Sequence, residues 1–135
     1  MADITLRLTI ADPVPGVSYS LQDQTSAPIG PVVATDAALS FDVAVKLSDD
    51  GRLTGPFVRR EGKVRRFVYI AIGGQAGQGQ MHISRRAKID IHGIAPDLLD
   101  QARAGKTLEV TLPGRDKAGL PACATVKPIE PWRVV

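Results

Sequence analysis

Apolar and polar residues alternate along much of the chain, most strictly between Ile83 and His92. On a strand, successive side chains point to opposite faces. One set in this stretch is His82, Ser84, Arg86, Lys88, Asp90 and His92, all polar. The other is Ile83, Arg85, Ala87, Ile89 and Ile91, apolar with one exception. Just upstream, residues 66–72 form the most continuously apolar run in the chain, and Gly73-Gly74-Gln75-Ala76-Gly77-Gln78-Gly79-Gln80 separates the two stretches. The pattern predicts adjacent strands joined by a glycine loop, with Arg85 turned toward the core side, where an unpaired cation is costly. A bulge would swing Arg85 outward; otherwise a carboxylate, a row of carbonyls or an anionic ligand must sit beside it.

The same period-two reading extends to the rest of the chain. Ile4, Leu6, Leu8 and Ile10 alternate with Thr5, Arg7 and Thr9, which predicts a half-buried strand. Asp12-Pro13-Val14-Pro15-Gly16 ends it, because the prolines remove donors and glycine permits positive φ. Val17, Tyr19 and Leu21 read as its hairpin partner, and the polar residues 22–36, with Pro28, Gly30 and Pro31, read as a loop or an irregular edge. Leu39, Phe41, Val43, Val45 and Leu47 predict a long strand closed by the turn Ser48-Asp49-Asp50-Gly51.

Late in the chain the period changes once. Pro96 suits a first helical position, Asp97 and Asp100 lie toward the positive amino end, Arg103 lies near the carboxyl end, and Gly105 is placed as the residue just past it. Leu98, Leu99 and Ala102 give that helix an apolar stripe. Leu108, Val110 and Leu112 then alternate up to Pro113-Gly114, residues 122–126 form a short apolar stretch, and Trp132 to Val135 supplies a last strand. These elements predict one domain over residues 1–135, mainly β. The expected architecture is an antiparallel β-sandwich or partly open barrel with one short α-helix from Pro96 to Ala104. A doubly wound parallel fold needs several helices between strands and is excluded.

Composition adds bounds more than direction. At 135 residues and 44% apolar content, the chain can bury a core without covalent staples. Cys123 is the only cysteine, so no intrachain disulfide forms. The amino terminus lacks a basic stretch followed by an apolar one, and no uncharged apolar run approaches the roughly 20 residues of a membrane span. The expectation is a soluble, cytoplasmic protein without a membrane partner.

Charge placement changes the picture. Between Arg52 and Lys88 there are nine basic residues against the single acid Glu61, a local net charge of +8 in a chain whose total is +3. Such asymmetry points to an anionic partner for the central segment. The competing explanation is that lysine and arginine keep strand edges from pairing.

Specific chemistry is harder to find. The glycine loop leads into the strand-like Met81-His82-Ile83-Ser84 and not into a helix, and it lacks a Gly-Lys-Ser/Thr ending, so neither nucleotide-loop pattern is present. His82 and His92 lie ten residues apart, roughly 33 Å on an extended strand, and cannot share a metal ion. No metal site and no cofactor is expected. Ser84 and His82 share a face but without a nucleophile-elbow motif, so no catalytic residue is assigned. Cys123 between two alanines reads as a small buried residue. Single-strand nucleic-acid binders stack bases on aromatic rings, and only Phe57, Phe67 and Tyr69 lie near the charges, so nucleic acid ranks last among the partners considered.

The chain resembles an uncharacterised bacterial family of small single-domain proteins, classed only as a domain of unknown function. The resemblance rests on Asp12-Pro13 with Pro15-Gly16-Val17, Gly55-Pro56-Phe57-Val58, Arg66-Phe67-Val68-Tyr69 and Ala76-Gly77-Gln78. It continues through Ser84-Arg85-Arg86-Ala87-Lys88, Gly93-Ile94, Pro113-Gly114, the stretch from Pro121 to Val126, and Trp132-Arg133-Val134. Order and spacing over nearly the whole chain carry it, and it implies no activity, cofactor or catalytic residue.

The functional expectation therefore comes from the residues themselves. It is a binding module for a small anion, a carboxylate or phosphate. Arg85 makes the two-pronged contact, Arg86 and Lys88 raise the local potential, and Gly77 and Gln78 supply loop donors, with His82 and Arg66 at the margins. The alternatives are an interaction or assembly domain using the same basic face, as a homo-oligomer or with an acidic partner, and then a hydrolase or isomerase using His82 and Ser84.

Overall fold

The computed structural model describes residues 2–22, 28–51, 53–54, 59–60, 63–64, 67–76, 81–91, 94–115, 124–125 and 129–135. Among the described residues, twelve strands and one helix follow one another. They are β1 (Ala2–Ala11), β2 (Ser18–Gln22), β3 (Pro28–Val33), β4 (Leu39–Leu47), β5 (Leu53–Thr54), β6 (Arg59–Arg60), β7 (Lys63–Val64), β8 (Phe67–Ala76), β9 (Met81–Asp90), α1 (Pro96–Arg103), β10 (Leu108–Pro113), β11 (Ala124–Thr125) and β12 (Glu130–Val134). One five-stranded sheet has the order β12-β10-β1-β4-β5, a second has the order β11-β9-β8-β2-β3, and β6 and β7 form a separate two-stranded ribbon.

The alternation read from the sequence sets the inward face of each sheet. In the first sheet Ile4, Leu6, Leu8 and Ile10 of β1 are buried beside Phe41, Val43, Val45 and Leu47 of β4 and Leu108, Val110 and Leu112 of β10. In the second, Tyr19, Leu21, Ile70, Ile72 and Ile89 are buried. All of them belong to one hydrophobic cluster, so the sheets pack as an open sandwich, and the described strands close no barrel. Most pairings are antiparallel, as expected. Two are parallel, β1 with β10 and β9 with β11, which makes both sheets mixed.

The segment after β1 departs from the expected hairpin. β2 does not pair with β1 but crosses to the second sheet, between β8 and β3. Asp12 takes a left-handed φ of 51° and Gly16 one of 84°, so the chain turns out of the first sheet's plane at Asp12. The Gly16 and Ala34 amides then bond to Ala34 O and Val17 O at 3.0 and 2.9 Å, fixing the arch against the chain that follows β3. Part of the polar stretch 22–36 is strand after all: β3 is the edge of the second sheet, with a register shift opposite β2 between Tyr19 and Leu21. It is an irregular edge, one of the two expected forms.

The helix forms where the period predicts it. Pro96 sits in its first turn with Asp97, and Arg103 lies in the last. Gly105, at φ 101°, donates to Ala102 O at 3.0 Å while Lys106 donates to Gln101 O at 3.2 Å, the paired bonds of a Schellman ending. Leu99 and Ala102 are buried in the common core, and Arg103 Nη2 donates to Ser48 O at 2.7 Å, tying the helix to the turn after β4.

Candidate functional site

The predicted site is carried by β8 and β9, which pair antiparallel as expected. Their ladder runs from Phe67↔Asp90 to Ala76↔Met81 without a register shift. An unbroken ladder keeps the period of two, so no bulge reverses the faces. Arg85 stands opposite Ile72, and Ile72 and Ile89 are buried, which puts position 85 on the core side of the pleat. Of the three arrangements that relieve an inward cation, the bulge is removed. A carboxylate or carbonyl partner and an anionic ligand remain.

Arg86 stands opposite Ala71, Lys88 opposite Tyr69, and His82 opposite Gln75, all on the other face of the same ladder. Ser84, opposite Gly73, shares that face with His82. The structure therefore divides the predicted site: Arg85 falls on one face of β9 and Arg86, Lys88 and His82 on the other. Arg66, Gly77 and Gln78 lie outside the described residues, as do His92 and Cys123.

Charge is distributed unevenly between the sheets. The strands of the first sheet carry Arg7, Lys46 and Arg133 against Asp3, Asp42, Glu109 and Glu130. In the second, every strand but β9 is uncharged, and β9 holds Arg85, Arg86 and Lys88 against Asp90. The ribbon adds Arg59, Arg60 and Lys63.

On the first sheet's outer face each cation has a carboxylate. Arg7 grips Asp42 with two prongs, Nε to Oδ1 at 2.9 Å and Nη2 to Oδ2 at 3.3 Å, between residues directly opposite in register. That bond and the attraction of Asp42 raise the guanidinium pKa. Lys46 lies 3.8 Å from Asp3. Arg133 reaches Glu109 Oε1 at 2.9 Å and Glu130 at 3.3 Å. Glu109 Oε2 also accepts the Thr9 hydroxyl at 3.0 Å, and Thr9 shares a 2.9 Å bond with Ser40. The Arg133 hydrogen bond, followed by that of Thr9 and the nearby Arg7, outweighs desolvation and holds the Glu109 carboxyl below its ordinary 4.5. The ladder spans four strands and sets Arg7, Lys46 and Arg133 against four carboxylates, so it offers no unsatisfied cation to an anion. Sequence reading put Arg7 and Thr9 outward but missed their partners, because Glu109 is a hundred residues away and only the parallel β1–β10 register brings it alongside.

A second cluster closes the arch after β1. The Arg115 guanidinium donates to Asp12 O and Pro13 O at 3.2 Å each and lies 3.3 Å from the Asp12 carboxylate. The buried Tyr19 hydroxyl accepts the Val14 amide at 3.1 Å. Burial pushes its phenol pKa up, against the smaller opposing pulls of that amide and of Arg115. Here Arg115 and the Tyr19 hydroxyl bond backbone atoms of the arch and Asp12 pairs with Arg115, so the cluster is structural.

Among the described residues no three His, Cys, Asp or Glu side chains are grouped to hold a metal ion, and no helix is long and apolar enough to cross a membrane. A family of unknown function, DUF5990, matches residues 4–135. No curated protein and no solved structure matches the chain.

Proposed function

Since the chain belongs to DUF5990, a family from which no activity carries over, we propose from its own residues that it is a soluble, cytoplasmic binding module for a small anion, a carboxylate or phosphate, held at β9. What supports the reading most is Arg85, set on the core side of a ladder with no bulge to release it. An arginine fork pairs with a carboxylate or phosphate in two prongs, and a ligand there would satisfy a cation that is otherwise costly to place. Arg86 and Lys88, at positions on the opposite face, contribute long-range attraction, and Gly77 and Gln78, which lie outside the described residues, are the proposed backbone donors.

Thermal melts of the wild type and Arg85→Ala, with and without phosphate or citrate, test this. A ligand at a hundred times its Kd stabilises by about 2.7 kcal/mol, which for a chain of this size is a shift of several degrees. The wild type should show the shift, and Arg85→Ala should lose it while keeping its own melting point. If the substitution instead costs on the order of 3–5 kcal/mol, Arg85 is half of a buried structural pair. Equal anion stabilisation of both proteins would remove Arg85 from the site.

A further inference from the structure

One row across the outer face of the first sheet alternates in charge sign. The registers set Arg133 opposite Glu109, Glu109 opposite Arg7, and Arg7 opposite Asp42, on the neighbouring strands β12, β10, β1 and β4. The row is open to solvent: 54% of the Arg133 side chain, 37% of Arg7 and 52% of Asp42 are exposed. Glu109, at 13%, is its recessed member. On one side runs the row Glu130, Thr111, Thr9 and Ser40, and on the other lie Thr5 and Ala44. Apart from Glu130 these are short side chains, which leave the charged row free to meet a flat surface. Its internal bonds engage Nε and Nη2 of Arg7 and both Nη atoms of Arg133. A guanidinium has five N–H donors and a carboxylate about four acceptor sites, so each group keeps capacity for a second partner.

We infer that this face docks on the same face of a second copy of the chain, as a two-fold dimer whose axis runs parallel to the strands between β10 and β1. Reversing the row exchanges its signs. Arg133 then meets the partner's Asp42 and Glu109 meets the partner's Arg7, so all four positions face opposite charge. In the adjoining row Glu130 meets the partner's Ser40, a carboxylate against a hydroxyl. An axis along the row would set each charge on its own kind, and like charges repel. A nucleic acid or an anionic membrane carries one sign and would press against Glu109 and Asp42. A second copy matches the whole row by symmetry. The face is separate from β9, and the dimer stands or falls without the small-anion site.

Sedimentation equilibrium at low salt tests the inference. Wild-type protein should sediment at twice the 14.4 kDa mass of the chain and dissociate as added salt screens the exposed charges. Asp42→Arg and Arg133→Asp, taken singly, each set like charge on like and should weaken the dimer at least about tenfold. Mixed in equal amounts, these two variants should form a heterodimer, because position 42 of each again meets opposite charge at position 133 of the other. Both changes in one chain should restore the homodimer for the same reason. Where a reversal fails to fold, Asp42→Asn and Arg133→Gln remove the charge alone and should still weaken the dimer several-fold. A monomeric wild type, folded single variants that dimerise as tightly as wild type, or a mixture that stays monomeric overturns the inference.

Discussion

Tyr19 and Gly114 hold the arch through opposite means, one by what it reaches and the other by what it lacks. The Tyr19 hydroxyl satisfies the amide of buried Val14. Tyr19→Phe strands that amide, and a buried donor without a partner costs about 1–3 kcal/mol, a loss that urea unfolding will measure. The raised phenol pKa gives a pH signature. Its stabilisation is complete below the ordinary value of 10.0 and is lost as pH rises from there through the folded-state value. Wild-type stability should therefore fall above pH 10.0 more steeply than that of Tyr19→Phe. At Gly114 an added Cβ would lie 2.5 Å from Asp12 O and 2.6 Å from Ala11 O, both backbone atoms. The Gly114 amide bonds to Ala11 O at 2.7 Å, so the two segments cannot separate cheaply. Gly114→Ala should cost about 1–3 kcal/mol or more, and a melting point within a degree of wild type would show that the arch yields.

The strands were readable because burial follows period two, and Ile4 to Ile10, Phe41 to Leu47 and Leu108 to Leu112 are buried at the alternate positions. Their partners were not readable. Pairing β1 with β10 depends on loop paths and on competition between strand edges, and nothing local in Leu108-Glu109-Val110 encodes a parallel neighbour. The same gap misplaced Val17 to Leu21: its alternation is real, but Asp12 turns it toward the other sheet. The helix was legible in full, because its proline, its terminal charges and Gly105 are local signals. At β10 and β12 the missed pairing has a measurable consequence. Glu109, held below its ordinary 4.5 by Arg133, stabilises the folded chain above that value and loses this as pH falls through the folded-state value. Because Arg133 is half exposed, solvent screens the pair and the contribution is small. Glu109→Gln should be slightly less stable than wild type at neutral pH in urea unfolding, with the gap shrinking in acid. A gap that is constant with pH would mean that packing, and not charge, holds β12.

Across the whole molecule, charge is segregated by layer. The first sheet pairs its cations internally, while β9 concentrates three in a sheet whose other strands are uncharged. Of the candidate site, the sequence singles out Arg85 by a broken alternation, and the ladder sets position 85 opposite buried Ile72. That β9 splits Arg85 from Arg86 and Lys88 also follows from the alternation; what the structure adds is the unbroken register with β8, whose Ile70 and Ile72 are buried. The proposed binding module thus rests on one arginine at a core-side strand position within a basic layer. Amide NMR during a titration with citrate tests this most directly. The account predicts saturable shifts concentrated on Arg85, its ladder neighbours and residues 77–80, and their loss in Arg85→Ala. Shifts centred on the outer face of the first sheet, or none at all, would contradict it.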